Sequence, residues 1–107
     1  MEQKRPDDYE VPTAKKEQRG YRMIYCVEDE KNIRELLVYT LETTGFTAKG
    51  LADGKELCSA MKKELPSLIL LDIMLPGEDG YGILTRLKSS PDTKNIPVIM
   101  VTAKDAE

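Results

Sequence analysis

The sequence contains no histidine and no tryptophan, and the first absence narrows the chemistry that the chain can perform. Histidine is the usual general base near neutral pH and a common zinc ligand, so sites of those kinds are not expected. Cysteine is scarce as well, because only Cys26 and Cys58 occur, each inside a predicted apolar element. We interpret both as buried thiols rather than as a disulfide or a metal-binding pair. Any chemistry here must depend mainly on carboxylates, hydroxyls and lysines.

Long apolar runs and an excess of positive charge are also lacking. No apolar run approaches the roughly 18 residues that a membrane span needs. The N-terminus is charged from Glu2 onwards and has no apolar segment of a secretory signal. The net charge of −3 and the isoelectric point of about 5.1 argue against nucleic-acid contact from this segment. We therefore expect a cytoplasmic chain with no membrane contact. A DNA-binding effector domain in a longer parent protein is compatible with this expectation.

The first 20 residues differ in composition from the rest of the chain. They carry five positive and five negative side chains and very little apolar surface. Such a segment cannot offset the entropic cost of ordering, so we predict a disordered charged leader over residues 1–20. The remaining residues, 21–107, are enough for one domain and too few for two.

From residue 23 onwards, short apolar runs alternate with segments of helical spacing. A continuous apolar run at 23–27 predicts a strand that is buried on both faces. Residues 67–71 and 97–101 predict two further strands, and 46–51 predicts a weaker one. Gly45 is predicted to end the first helix, and Asp53 with Glu56 resembles a capping box at the start of the second. The apolar faces of the first and third helices are predicted at Ile33, Leu36, Leu37, Thr40 and Leu41, and at Tyr81, Ile83, Leu84 and Leu87. This order predicts an α/β fold with an open, doubly wound parallel sheet.

Polar side chains follow three of the predicted strands, at the edge of the sheet where such folds place their functional groups. Glu28 and Asp29 follow the first strand, Asp72 follows the third and Thr102 follows the fourth. Clustered carboxylates repel one another, and oxygen ligands without histidine or cysteine favour a hard cation, Mg²⁺ before Ca²⁺. Asp72 can also act as a nucleophile that forms an acyl phosphate, and the Thr102 hydroxyl can donate a hydrogen bond to that group.

Each of these residues alone also has an ordinary structural explanation. An acidic pair such as Glu28-Asp29 is common at a helix N-terminus, and Asp72 or Thr102 alone can simply end a strand. Only their combined placement at the carboxyl ends of strands indicates a site.

Three segments of the chain closely resemble the receiver domains of two-component response regulators. They are 27–30 (VEDE), 70–80 (LLDIMLPGEDG) and 97–103 (PVIMVTA), and the resemblance extends from about Arg22 to the last residue. It implies a flavodoxin-like receiver fold and a phosphoacceptor domain that takes a phosphoryl group on Asp72 from a sensor histidine kinase in a Mg²⁺-dependent reaction. Such a domain is not an enzyme in its own right, and at most it phosphorylates itself and slowly loses the phosphoryl group.

The resemblance also implies a role for individual residues. Asp29 would bind Mg²⁺ directly, Glu28 would act on the ion through water, and Asp72 and the backbone carbonyl of Met74 would complete the protein ligands. Thr102 would be the switch hydroxyl. The positions that leave room for the phosphoryl group or tune its loss would be Met74, Ala103 and Lys104.

Receiver domains normally continue with a further helix, strand and helix, which are lacking after residue 107. That segment carries a lysine that contacts the phosphoryl group and an aromatic switch residue, and Lys104 is not that lysine. We therefore expect an incomplete receiver domain over 21–107, with an open fourth strand through which copies of the chain can associate.

Two other functions stay open at this stage. The first is a binding-only module that takes no phosphate, and the missing lysine favours it. The second is a Mg²⁺-dependent phosphohydrolase of another doubly wound family. Such enzymes usually carry an Asp-x-Asp pair, and the sequence Asp72-Ile73-Met74 lacks the second acid.

Overall fold

The computed structural model describes residues 23–101, which form four strands and three helices in strict alternation. The predictions for residues 1–20 and for Thr102, Ala103 and Lys104 lie outside this range. None of the helices within it combines the length and apolar character that crossing a membrane requires. In chain order the elements are β1 (Met23–Val27), α1 (Lys31–Thr43), β2 (Thr47–Leu51), α2 (Gly54–Lys63), β3 (Leu68–Asp72), α3 (Gly80–Ser89) and β4 (Val98–Val101).

The four strands form one parallel sheet in the order β2-β1-β3-β4. The predicted doubly wound parallel fold is therefore confirmed. The central strand β1 pairs with β2 on one side and with β3 on the other, so that Cys26 lies between Gly50 and Leu70. The reversal of chain order beside β1 is the point at which open α/β sheets usually place their functional sites.

The main hydrophobic core lies between the sheet and two of the helices. Alternate residues of the central strands face it, as the two-residue period of a strand requires. α2 and α3 cover this face together, and their buried side chains complete the core. Its central members are Tyr25, Val27, Ile69, Leu71, Leu57, Ala60, Ile83 and Leu87.

The other face of the sheet is covered by α1, which lies over β1 and β2. Gly50 of β2 faces this helix, whereas its neighbour Leu51 belongs to the core on the opposite side. Ile24 and Cys26 of β1 are buried on this second face, and Leu70 of β3 is only half-buried. The sheet is therefore more completely covered by α2 and α3 than by α1.

The structure confirms the capping residues that were predicted at the end of α1 and at the start of α2. Gly45 has a φ of 102°, its N–H donates to the carbonyl of Glu42 at 3.2 Å, and Phe46 N–H donates to that of Leu41 at 3.1 Å, which is a Schellman motif. At the start of α2, Asp53 accepts a hydrogen bond from Glu56 N–H at 2.9 Å. The Glu56 carboxylate reaches back to the N–H of Ala52 at 2.8 Å and completes the cap.

Four predictions about side-chain burial are wrong, and one of them concerns Thr40, which is exposed on α1. Cys58 is exposed because it follows the buried Leu57 and is rotated by about 100° from it around α2. Tyr81 is 58% exposed, since two positions correspond to about 200° of rotation from the buried Ile83. Leu36 is 62% exposed because the face of α1 that contacts the sheet is narrower than the band of apolar residues on this helix.

Candidate functional site

Three carboxylates meet at the carboxyl end of the two central strands. Glu28 and Asp29 follow β1, Asp72 ends β3, and one oxygen atom from each lies within 4.8 Å of the others. Glu28 is 1% exposed and Asp72 is fully buried, whereas Asp29 is the most accessible of the three. The structure therefore brings together the three acidic residues that the sequence predicted to share a site.

The sheet itself sets the position of this cluster. Val27 and Leu71 are register partners in the parallel pair β1–β3, so the next residues, Glu28 and Asp72, lie at the same level at the carboxyl ends of these strands. The N–H of Glu28 donates to the carbonyl of Leu51 at 2.9 Å, which continues the pairing of β1 with β2 by one residue. Both buried carboxylates are therefore attached to backbone that the hydrogen bonds of the sheet hold in place.

Short hydrogen bonds from the backbone orient the two buried carboxylates. The Oε2 atom of Glu28 accepts a bond from the N–H of Glu30 at 2.9 Å, and the Oδ1 atom of Asp72 accepts one from the N–H of Met74 at 3.0 Å. Each bond closes a tight turn at the end of a strand. These bonds restrict the rotation of two carboxylates whose oxygens lie within 4.8 Å of each other.

Such a cluster favours a cation. At an effective dielectric constant of about 20, two negative charges some 5 Å apart repel each other by about 3 kcal/mol. All the converging ligand atoms are oxygens, which suit a hard divalent ion such as Mg²⁺. Two oxygens that bind one Mg²⁺ at about 2.1 Å are at most about 4.2 Å apart, so a spacing of up to 4.8 Å requires only small side-chain movements. Glu28, Asp29 and Asp72 therefore fit a magnesium ion.

Two glycines shape the segment between Asp72 and α3, in different ways. Gly77 has a φ of 82°, in the left-handed region that favours glycine, and it allows the loop to turn between β3 and α3. A Cβ atom on Gly80 would lie only 2.5 Å from the carbonyl oxygen of Asp72 and 2.9 Å from the Cα of Ile73. Gly80 therefore permits close packing of α3 against the end of β3, a role that the sequence did not indicate.

Arg34 and Gly50 support the site and were missed by the sequence analysis. The Nη1 atom of Arg34, in α1, lies 2.9 Å from the carbonyl oxygen of Glu28 and 3.2 Å from that of Asp29, and it donates to both. The side chain of Arg34 passes over Gly50 on its way to these carbonyls. A glycine inside a strand signals the close approach of another group, and this was the one clue in the sequence.

The remaining predicted site residues are only partly described. Met74 donates its N–H to Asp72 and exposes 56% of its surface beside the cluster. The role of its carbonyl as a metal ligand stays a prediction. The roles of Thr102, Ala103 and Lys104 stay predictions as well.

The chain matches known proteins along most of its length. A family model described as the response regulator receiver domain matches residues 24–107. The chain belongs to the response regulator receiver family. It is 40% identical over 84 residues to the phosphate regulon transcriptional regulatory protein PhoB of Rhizobium meliloti (strain 1021), with 78% of the chain and 37% of that protein covered.

Solved structures of receivers agree with this assignment. The N-terminal domain of a response regulator receiver protein from Methanoculleus marisnigri JR1 is 38% identical, with a TM-score of 0.73, and the match covers 79% of this chain and 69% of that one. The Mn²⁺-bound form of response regulator Rcp1 is 32% identical, with a TM-score of 0.67 over 80% of this chain and 68% of that one. The flavodoxin-like receiver fold is therefore confirmed.

The chain is much shorter than its curated relatives. It spans 37% of the length of the Rhizobium protein and 38% of the length of the Escherichia coli (strain K12) PhoB protein. The family assignment therefore concerns the receiver part of such regulators, which is a regulatory domain.

Proposed function

We propose that this chain is the phosphoacceptor domain of a two-component response regulator, and that Asp72 receives the phosphoryl group. One observation carries this proposal: the fully buried carboxylate of Asp72 ends a central strand within 4.8 Å of ligand oxygens from Glu28 and Asp29. A nucleophile placed beside two further acids suits phosphoryl transfer, because a cation held there can offset the charge of the incoming group.

The proposed reaction moves one phosphoryl group. A carboxylate oxygen of Asp72 forms a bond to phosphorus while the bond from phosphorus to the imidazole nitrogen of a phosphohistidine breaks, and the freed imidazole keeps the electron pair of that bond. The product is an acyl phosphate on Asp72. In this scheme the N–H of Met74, 3.0 Å from Oδ1, fixes the rotation of the Asp72 carboxylate before the reaction.

Glu28, Asp29 and Asp72 are the residues that would hold Mg²⁺, together with the Met74 carbonyl. The ion would supply positive charge to the phosphoryl oxygens and to the attacking carboxylate. The fit of these oxygens to a hard cation supports this assignment, as does the Mn²⁺-bound state of the related Rcp1.

The partners that we propose follow from the same reaction. The phosphodonor is a sensor histidine kinase, as membership of the receiver family implies, and the lack of histidine in this chain agrees with an external donor. Thr102 provides the hydroxyl that responds to the phosphoryl group, and Met74, Ala103 and Lys104 tune its loss. A DNA-binding effector domain in a longer parent protein is supported by the description of the Rhizobium relative as a transcriptional regulatory protein.

The test is incubation of the chain with a small phosphodonor and Mg²⁺, followed by intact-mass measurement. We expect a mass increase of about 80 Da, absent in Asp72→Asn and reduced in Glu28→Gln, because an amide cannot form the acyl phosphate. Asp92→Asn, an exposed change near the end of α3, is the matched control and should label like the original chain.

Three results would contradict the proposal in different ways. Steady consumption of the phosphodonor without an adduct would indicate a phosphohydrolase. A chain that neither gains mass nor consumes the donor would be a binding-only module. Undiminished labelling of Asp72→Asn would move the acceptor to another residue.

A further inference from the structure

The side chain of Arg34 connects α1 to the backbone that carries two of the acidic residues. Its Nη1 atom donates to the carbonyl of Glu28 at 2.9 Å and to the carbonyl of Asp29 at 3.2 Å. The guanidinium group therefore bridges two consecutive peptide groups immediately after β1. Arg34 lies in the first turn of α1. Its own N–H donates to the carbonyl of Glu30, four residues earlier in the chain, at 2.9 Å.

This contact completes the restraint of Glu28. The N–H of Glu28 is held by the carbonyl of Leu51 at 2.9 Å, and its carbonyl is held by Arg34. The peptide groups on both sides of the Glu28 Cα are thus fixed, and these groups determine the direction of the Cα–Cβ bond. Asp29, which is more accessible, has its own carbonyl held by the same guanidinium group.

Gly50 provides the space through which Arg34 reaches these carbonyls. A Cβ atom at Gly50 would lie 2.8 Å from Cγ and 3.1 Å from Cδ of Arg34, which is too close for the present side-chain path. Gly50 does not have a positive φ, so the backbone itself would accept alanine. Glycine inside a strand is less favourable than alanine, and the passage of Arg34 is the physical reason for it here.

We propose that Arg34 is a positioning residue for the divalent cation, and that Gly50 is required for it to act. This inference rests on the proposed metal site at Glu28, Asp29 and Asp72. Arg34 touches neither the ion nor the phosphoryl group in this scheme. It holds the backbone of two ligands so that their carboxylates meet that of Asp72, as residues behind the ligands do in other metal sites.

The experiment measures Mn²⁺ binding to the full chain, from the electron paramagnetic resonance signal of the free ion, with Mg²⁺ as competitor. We expect Arg34→Gln to weaken Mn²⁺ binding by about 10-fold, within the range found for groups that support metal ligands elsewhere. Arg34→Lys keeps the charge but not the planar fork, and it should recover part of this loss. Gly50→Ala should weaken binding although Arg34 is still present.

Lys31→Gln is the matched control. It removes a positive charge from the same helix, at an exposed residue that pairs only weakly with Glu35 at 4.0 Å. Mn²⁺ affinity within a factor of two of the original chain is expected. Circular dichroism of each variant, at the temperature of the titration, shows that the measured affinities belong to folded protein.

A second readout separates positioning from general damage. If Arg34 acts through the ion, the labelling rate of Arg34→Gln should be low at limiting Mg²⁺ and should return to that of the original chain at saturating Mg²⁺. A labelling rate that stays low at saturating Mg²⁺ would overturn the proposal. Mn²⁺ binding that is weakened equally by Lys31→Gln would overturn it as well, and so would Mn²⁺ binding that is unchanged in both Arg34→Gln and Gly50→Ala. An original chain that binds no Mn²⁺ would instead overturn the metal site itself.

Discussion

The hydroxyl group of Tyr25 donates a 2.6 Å hydrogen bond to the backbone carbonyl of Glu64, with a longer contact of 3.3 Å to that of Ala60. This bond fastens the C-terminal turn of α2 to the central strand β1. We predict that Tyr25→Phe lowers the free energy of unfolding by about 1–2 kcal/mol, because a part-buried carbonyl loses its partner. Urea denaturation measures the change. Tyr39→Phe, at an exposed tyrosine, should leave stability unchanged.

The same tyrosine should make stability depend on alkaline pH. Burial, aided by the charge of Glu64, raises the pKa of Tyr25, and burial raises the pKa of the Cys26 thiol to about 11. The folded chain therefore keeps protons that the unfolded chain releases, and stability falls as pH rises. We expect the free energy of unfolding to decrease above about pH 9, and less steeply in Tyr25→Phe. A curve that is flat to pH 11, or steeper in the variant, would contradict this prediction.

The two thiols should react at very different rates. Cys58 is exposed, whereas Cys26 is fully buried in β1 and its pKa is raised to about 11. We predict that a thiol reagent at about pH 8 modifies one cysteine quickly and the second only after unfolding, since the thiolate is the reactive form. The absorbance of the leaving group that the reagent releases gives the number of cysteines modified. In Cys58→Ser the fast phase should disappear, and its survival would show that Cys26 is accessible.

Asp29 should be essential for binding of the cation. It is the most accessible of the three clustered acids, and the family resemblance gives it direct contact with the ion. We predict weak Mg²⁺ binding by the chain, because few protein ligands are available, and its loss in Asp29→Asn. Isothermal titration measures both. Glu35→Gln removes an exposed charge from α1 and should bind Mg²⁺ normally, whereas equal binding by Asp29→Asn would exclude this residue as a ligand.

The edge formed by β4 should allow copies of the chain to associate. Within residues 23–101, β4 pairs with β3 alone, and its Ile99 is 49% exposed. Open strands with apolar side chains tend to pair with another chain, and a lysine on such a strand opposes pairing. We predict that Ile99→Lys reduces association of the 107-residue polypeptide in sedimentation experiments. Leu65→Lys, at a residue that is 48% exposed and far from β4 in sequence, is the control. A monomeric original chain would contradict the prediction.

The features that the sequence predicted correctly depend on short-range patterns or on general rules of topology. β1 and β3 are continuous apolar runs, and Gly45 ends α1 in the left-handed conformation that its position indicated. Glu28 and Asp72 are distant along the chain, yet parallel strands bring their carboxyl ends to one edge, so their meeting could be predicted without a contact map.

The features that could not be predicted from the sequence depend on how each helix packs on the sheet. Leu36 and Cys58 belong to amphipathic helices, but their burial is decided by the width of each contact stripe and by the rotation of each helix about its axis. The contact between Arg34 and Gly50 joins two elements across the face of the sheet, and neither residue indicates its partner. Such contacts follow from packing geometry, which periodicity alone does not determine.

The burial of Glu28 and Asp72 side by side has a consequence for the folding equilibrium itself. Folding concentrates negative charge at one edge of the sheet, and in the unfolded chain these two acids are separated by dozens of residues. A ligand that binds only the folded form shifts the equilibrium towards it by mass action. If Glu28, Asp29 and Asp72 bind a divalent cation as proposed, the fraction of folded chain depends on the concentration of the free ion. A chain of marginal stability would then unfold, in addition to releasing the ion, when that concentration falls.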